Sequence, residues 1–325
     1  MPRVLITGAA GFIGMHTSIR FLKEGWDVVG LDNLNNYYSV QLKEDRVLKI
    51  VAIASAEKKS FQLYRNDLNS EVWNELENLQ IDALIHLAAQ AGVRYSIDNP
   101  NSYLESNIFG FQRVLDFVRL KNIRPFIYAS SSSVYGKDSE QPFKENDTCN
   151  SPESYYAATK KANELMATAY FNTHKVSSTG LRFFTVYGPW GRPDMAPMLF
   201  ATAAFEGSPI KVFNHGNQKR DFTFIEDIVQ AVFKIITKQN SSIGAQIYNV
   251  GFGSPVQLMK FIETIEYHTE RILKKEFQPA QIGDVETTYA DITKLRQSIS
   301  YSPETNINEG IECFISWYKQ YYKVN

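Results

Sequence analysis

Short apolar runs alternate with longer amphipathic stretches through the first half of the chain. The apolar runs show no polar alternation, as expected for strands that are covered on both faces. They predict strands at 3–7, 27–31, 61–64, 82–87, 125–130 and 176–183. Helical periodicity predicts helices between them at 12–23, 41–56, 71–79, 103–120 and 156–173. The repetition predicts an α/β fold built on a doubly wound parallel sheet.

The pattern changes after Phe184. Glycine and proline predict a rigid loop at 188–193, and a helix at 227–237 and a strand at 246–250 then resume the α/β pattern. The remaining chain looks more irregular until an aromatic-rich helix at 309–322. We therefore predict a smaller C-terminal substrate domain that is interleaved with the first domain. The first comprises residues 1–185 and 224–252, and the smaller one residues 186–223 and 253–325.

Composition and charge exclude several classes of protein. The 325 residues carry a net charge of −1, so no overall field attracts nucleic acid or an anionic membrane. Cys149, Cys313 and the five histidines show no metal-ligand spacing, and we expect no metal. The first strand begins at Arg3 and no apolar run reaches about 18 residues, so we expect no signal peptide, no membrane span and a cytoplasmic protein.

A glycine-rich loop joins the first predicted strand to the first predicted helix. The segment reads Thr7-Gly8-Ala9-Ala10-Gly11-Phe12-Ile13-Gly14. Glycines at this spacing permit a tight turn, close approach of a pyrophosphate and tight packing of helix on strand. The N–H groups that open the helix then face the phosphates. This is the dinucleotide-binding pattern of a Rossmann sheet, and the expected contacts are Gly8, Gly11, Phe12, Ile13 and Gly14.

An acidic residue ends the second predicted strand. Asp32 lies 18 residues after Gly14, close to the roughly 20 residues expected for the carboxylate that binds the adenosine ribose. A carboxylate there repels a 2′-phosphate, and Asn33 follows it instead of an arginine. We therefore expect NAD, not NADP, with Asp32 and Asn33 at its ribose.

Two residue pairs follow later strands at the same edge of the sheet. Asp67 and Leu68 are expected at the adenine, although a helix N-cap explains Asp67 equally well. Ala88 and Ala89 follow the fourth strand, where small side chains leave room either for the cofactor or for helix packing.

A tyrosine and a lysine share one face of the helix at 156–173. Lys160 follows Tyr156 by four residues, and an ammonium group beside a phenol lowers the phenol's pKa from its usual value of about 10. Tyr156 is thus a candidate general base. A run of serines, 130–133, ends the fifth strand, where ligands bind in such sheets. We predict that Tyr156, Lys160 and Ser131 carry the catalysis.

Together these motifs resemble the extended short-chain dehydrogenases/reductases, and among them the nucleotide-sugar epimerase/dehydratase branch. The resemblance rests on TGxxGFIG, the acid after the second strand, SSSSVYG and YxxxK. It extends over almost the whole chain, through Asn99-Pro100 to Asn107, Arg220-Asp221-Phe222, Asn249-Val250-Gly251 and Gly283-Asp284.

The resemblance implies roles in the reaction. It implies that Ser131 hydrogen-bonds the reacting hydroxyl, that Tyr156 moves its proton, and that Lys160 binds the nicotinamide ribose. It also implies a homodimer formed through the helices at 103–120 and 156–173, although these helices could instead be buried within one subunit.

It also implies contacts at the two ends of the ligands. Asn107 would belong to the cofactor site, Arg220 would hold a UDP phosphate and Asp284 the uridine ribose. Gln281 stands where related galactose epimerases carry an arginine, so a second phosphate cation is missing or supplied elsewhere.

Ser132 and Ser133 narrow the choice of reaction. Within the resembling branch, dehydratases carry Asp-Glu beside the catalytic hydroxyl, and decarboxylases carry a glutamate just before Val-Tyr-Gly. Serine stands at both positions here and does no extra acid–base work. Oxidation followed by reduction of one carbon, which is epimerisation, remains.

Residues 182–195 and 89–96 resemble the matching segments of UDP-glucuronate 4-epimerases, which implies UDP-glucuronate and UDP-galacturonate as substrate and product. A guanidinium binds a carboxylate by charge-assisted hydrogen bonds. Arg192 is the candidate for the uronate carboxylate, unless it merely holds its own loop beside two prolines. The further expected donors are Thr185, Ser131, Ser132 and Ser133.

Three other functions stay open. The first is a 4-epimerase for a neutral sugar such as UDP-glucose or UDP-N-acetylglucosamine. The second is a dehydrogenase that releases NADH, and the third is an NAD-sensing protein without catalysis. A tuned phenol serves no purpose in the third, and polysaccharide biosynthesis is the expected context for the epimerase.

Overall fold

A computed structural model of the chain describes residues 1–137, 139–238, 243–280 and 285–325. Its strands are β1 (Arg3–Thr7), β2 (Asp27–Leu31), β3 (Phe61–Tyr64), β4 (Ala83–His86), β5 (Phe126–Ser131), β6 (Ser178–Phe183), β7 (Thr185–Tyr187), β8 (Ile210–Val212), β9 (Lys219–Arg220), β10 (Phe222–Phe224), β11 (Ala245–Val250), β12 (Val256–Gln257) and β13 (Lys275–Phe277). Its α-helices are α1 (Phe12–Lys23), α2 (Val40–Ala56), α3 (Val72–Leu76), α4 (Tyr95–Asp98), α5 (Pro100–Tyr103), α6 (Gly110–Lys121), α7 (Tyr155–His174), α8 (Ala196–Glu206), α9 (Ile225–Lys238), α10 (Leu258–Thr269), α11 (Thr293–Ile299) and α12 (Ile307–Tyr322).

The seven longer strands form one parallel sheet in the order β11-β6-β5-β4-β1-β2-β3. Helices cover both faces, so the strands are buried: every residue of β4 and of β6 is buried. The predicted doubly wound parallel sheet is confirmed. From β1 the chain runs outward through β2 and β3, then returns to build the other half from β4. Ligands bind in such sheets beyond the carboxyl ends of the strands, at the point where the order reverses.

The helix predicted at 103–120 is divided. A π-helical turn, Leu104–Phe109, separates α5 from α6. Directly after this turn the helix packs closely, since a Cβ atom on Gly110 would come within 2.7 Å of the Leu68 side chain. The wider turn contains Asn107, which is buried and bonded to neighbouring elements. Single π-turns of this kind often mark functional regions.

The second half of the chain contains more helix than the sequence pattern predicted. The segment expected to be irregular holds α10 and α11 before α12. Two short strand pairs, β8 with β13 and β9 with β12, join segment 186–223 to segment 253–325. The proposed division into two interleaved domains stays a prediction. No helix in the described part of the chain has the length and apolar character of a membrane span.

Candidate active site

A cavity of about 460 Å³ lies where the strand order reverses. It extends from the glycine-rich loop and β2 to the start of α7 and the loop after β7. The predicted site residues on its wall are Gly8, Gly11, Phe12, Ile13, Gly14, Asp32, Asn33, Asp67, Leu68, Ala88, Ala89, Ser131, Ser132, Ser133, Tyr156, Lys160, Thr185, Arg192 and Arg220. Asn107 is not on this wall, and Asp284 and Gln281 lie outside the described residues.

The glycine-rich loop packs so closely that side chains do not fit. Gly8 has a φ of +73°, and a Cβ atom on it would lie 2.7 Å from the Ala88 nitrogen. A Cβ atom on Gly14 would overlap the Gly8 carbonyl oxygen. No side chain caps α1 and its first turn contains no acid, so its N–H groups remain available to an anion. The loop therefore fits the pyrophosphate of a dinucleotide.

Asp32 connects the glycine-rich loop to the chain after β2. Its carboxylate accepts hydrogen bonds from the backbone nitrogens of Ala10 (3.0 Å) and Leu34 (2.9 Å). Burial raises the pKa of Asp32, and these two hydrogen bonds act in the opposite direction. The carboxylate lies at the cavity wall, beside Asn33, as a ribose-binding group must.

Two cations near Asp32 were missed by the sequence analysis. Lys43 donates to the Asn35 carbonyl (2.5 Å), and burial lowers its pKa to about 8. Arg46 is fully buried and donates to the carbonyls of Ala10 (3.1 Å) and Trp190 (2.6 Å). It thereby ties the glycine-rich loop to the 188–193 loop. The three-residue spacing of Lys43 and Arg46 on α2 is visible in the sequence. Only the fold shows that this face of α2 lies beside Asp32 at the cavity.

The predicted residue pairs after β3 and β4 also line the cavity: Asp67 with Leu68, and Ala88 with Ala89. Asp67 accepts from the Asn69 backbone (2.9 Å) and from the Asn33 side chain (2.8 Å). It is not a helix N-cap, because α3 begins only at Val72. The backbone of Ala88 lies so close to Gly8 that only glycine fits at position 8.

Asn107 lies behind the cavity wall. Its amide oxygen accepts from the Gln90 nitrogen (2.8 Å), and its amide nitrogen donates to the Gln90 carbonyl and to Thr159 (each 3.0 Å). Both ends of the amide are therefore occupied. Asn107 thus holds Gln90, which lies on the wall, and its own place in the cofactor site stays a prediction.

Tyr156, Lys160 and Ser131 meet at the far end of the cavity. Ser154 caps α7 through the Ala157 nitrogen (3.1 Å) and so fixes the start of the helix. The Lys160 ammonium donates to the Ala129 carbonyl (3.0 Å), and burial lowers its pKa to about 8. The Ser131 hydroxyl contacts that of Ser133 (3.1 Å).

Burial raises the pKa of Tyr156, whereas hydrogen bonding to Ser131 and the charge of Arg192 lower it. The Lys160 ammonium is directed to the Ala129 carbonyl, and its expected lowering of the Tyr156 pKa stays a prediction.

The substrate end contains three of the predicted groups. Thr185 begins β7 and pairs with Phe222 of β10. Arg220 lies in β9 and donates to the Glu286 carbonyl (2.9 Å). Arg192 lies in the loop after β7, where it pairs with Asp194 and donates to the Ala91 carbonyl (3.2 Å). It thus both faces the cavity and holds its loop.

Known proteins share this sequence and architecture. A profile of the NAD dependent epimerase/dehydratase family matches residues 4–251. The chain is 45% identical to Protein CapI from Staphylococcus aureus over 99% of each chain. It is 40% identical to UDP-glucuronate 4-epimerase 2 from Arabidopsis thaliana, over 98% of this chain and 76% of that protein. The crystal structure of a Bacillus cereus UDP-glucuronic acid 4-epimerase with UDP-glucuronic acid and NAD matches with a TM-score of 0.88 and 31% identity, over 98% of this chain and 100% of that one.

Proposed function

The chain belongs to the NAD-dependent epimerase/dehydratase family, and from that premise we propose that it interconverts UDP-glucuronate and UDP-galacturonate at C4 with bound NAD. One observation carries the proposal: Tyr156 and Ser131 line the same cavity as the glycine-rich loop and Arg192. Relatives named for this reaction support it at 40% and 31% identity.

The cofactor end is proposed to bind NAD through the glycine-rich loop, Asp32 and Asn33. The adenine and nicotinamide ends of NAD would lie against Asp67, Leu68, Ala88 and Ala89. Bound NAD would supply the hydride transfer, from C4 of the sugar and back to the opposite face of that carbon. Lys160, whose ammonium donates to the Ala129 carbonyl, would hydrogen-bond the nicotinamide ribose.

The catalytic end moves the proton. Tyr156 accepts it from the C4 hydroxyl, while the Ser131 hydroxyl hydrogen-bonds the same oxygen. The resulting 4-keto sugar turns about the bonds to its diphosphate and presents its other face. Tyr156 then returns the proton. Ser132 and Ser133 provide neither an acid nor a base for elimination, so the sugar keeps all its substituents.

The substrate end is proposed to recognise both charges of the sugar nucleotide. Arg192 and Thr185, together with the serine hydroxyls, would bind the uronate carboxylate. Arg220 would bind a UDP phosphate. A role for Asp284 at the uridine ribose stays a prediction.

Incubation of the purified protein with UDP-glucuronate tests the proposal. We expect UDP-galacturonate by chromatography, with and without added NAD, because each turnover regenerates the cofactor. UDP-glucose and UDP-N-acetylglucosamine, assayed in parallel, should react more slowly. Faster reaction with either neutral sugar would replace the proposed substrate, and net absorbance of NADH in excess NAD would indicate a dehydrogenase.

A homodimer is the proposed assembly. Large apolar side chains are exposed on the π-helical turn, on α6 and on α7, namely Phe109 (59%), Leu120 (66%) and Leu165 (60%). Surfaces of this kind favour association. Light scattering should give about twice the 37.1 kDa chain mass, whereas the single-chain mass would contradict the dimer.

The unpaired cysteines fit the proposed cytoplasmic location.

A further inference from the structure

The guanidinium of Arg192 already has a carboxylate partner inside the protein. Its Nη2 atom lies 2.6 Å from one oxygen of Asp194, and its Nε atom lies 3.1 Å from the other. Nη2 also donates to the Ala91 carbonyl (3.2 Å). Within the described residues, Nη1 makes no hydrogen bond. The pair is bidentate, which is the strongest arrangement for these two groups, and its net charge is zero.

Asp194 is itself held by a second residue, Tyr37. The Tyr37 hydroxyl donates to it (3.1 Å), and the ring of Tyr37 lies 5.7 Å from the Arg192 guanidinium carbon. Burial and the charge of Asp194 raise the pKa of Tyr37 to about 12, so the hydroxyl keeps its proton. Tyr37 and Arg192 both lie on the cavity wall. Asp194 is therefore fixed against a guanidinium that faces the cavity.

We propose that Asp194 is a specificity-determining residue that competes with the substrate's C6 carboxylate for Arg192. This inference rests on the proposed function. A uronate that binds Arg192 must share the guanidinium with Asp194 or displace it. In either geometry the negative charge of Asp194 offsets part of the attraction between Arg192 and the sugar.

A weaker contact between Arg192 and the sugar carboxylate suits this reaction. The 4-keto sugar has to release its first contacts, turn and bind again before the hydride returns. An arginine with no internal partner would hold the carboxylate more tightly and slow the turn. Binding energy that favours the ground state in this way lowers KM and kcat together.

Replacement of Asp194 by asparagine tests the inference, because the amide keeps the shape and removes the charge. In Asp194→Asn, UDP-glucuronate should bind about tenfold more tightly, and kcat should fall several-fold. The affinity for UDP-glucose should change less than twofold, which also shows that the variant is folded. Asp116→Asn is the matched control, since Asp116 likewise accepts from a tyrosine, Tyr170 (2.9 Å), and lies near an arginine, but away from the cavity.

A double-mutant cycle separates charge competition from a structural effect. In an Arg192→Gln background, Asp194→Asn should change the affinity for UDP-glucuronate much less than it does when Arg192 is present. Weaker binding of UDP-glucuronate in the single variant, or equal changes for both sugars, would overturn the inference. The proposed function fails separately, if the unaltered protein does not convert UDP-glucuronate.

Discussion

Turnover of UDP-glucuronate by the Tyr156→Phe variant is expected to fall by roughly 10²–10⁴-fold, the contribution that a positioned general acid–base typically makes. The phenol is the single group on the cavity wall that is proposed to move the C4 proton. Phenylalanine keeps the ring, which packs edge-on against Tyr103 with the centroids 6.0 Å apart. The loss should therefore appear in kcat, while the dissociation constant for UDP-glucuronate changes little.

Tyr155 provides the matched control for this experiment. It is the preceding residue on α7, it is 38% exposed, and it does not line the cavity. Tyr155→Phe should retain nearly full activity. For both variants, turnover of UDP-glucuronate is measured by chromatography and its dissociation constant by calorimetry. Near-normal turnover by Tyr156→Phe would remove Tyr156 as the base, and a matching loss in Tyr155→Phe would point to a defect of α7 itself.

Local patterns in the sequence were sufficient for the sheet and the cofactor end. β1 and α1 begin and end where the hydrophobic pattern predicted, with the glycine-rich loop between them. The helix α10 was missed although Leu258, Phe261 and Ile265 follow a helical spacing and are buried. The regular alternation of strands and helices ends before this segment, so its helical spacing had no support from neighbouring elements.

Contacts between distant segments could not be predicted. The pairing of Arg192 with Asp194 involves neighbours in sequence, but the Tyr37 hydroxyl that fixes Asp194 comes from far along the chain. Likewise, Lys160 could be assigned to the face of Tyr156, but its bond to the Ala129 carbonyl depends on how α7 packs on β5. The spacing of residues shows which side chains share a face of a helix. It does not show which other element that face contacts.

The buried ion pair between Glu164 and Arg182 shows how α7 is held on the sheet. Both side chains are nearly inaccessible (5% and 2% exposed), and Glu164 accepts two hydrogen bonds from Arg182, at 2.8 and 2.9 Å. Glu164 also accepts from the Ser130 hydroxyl (2.7 Å). It lies one helical turn after Lys160 and bonds the residue next to Ser131, so the pair fixes both sides of the catalytic end.

The Glu164→Gln variant is expected to lose about 3–5 kcal/mol of unfolding free energy, because it leaves the charge of Arg182 buried without a counter-ion. Denaturant unfolding measures the loss as a lower midpoint with an unchanged slope. Glu263→Gln is the control: its pair with Lys260 is exposed, with side chains 57% and 66% accessible, and such pairs contribute roughly 0–1 kcal/mol.

The double variant Glu164→Gln/Arg182→Met identifies the cause of that loss. Removing the stranded charge together with its partner should recover much of the stability, since apolar replacements of buried ion pairs are often tolerated. Two results would contradict this account of the pair. One is a Glu164→Gln loss no greater than that of Glu263→Gln, and the other is a double variant less stable than Glu164→Gln alone. In the second case the Arg182 contact with the Tyr135 ring, 4.7 Å from its centroid, would be the stabilising interaction.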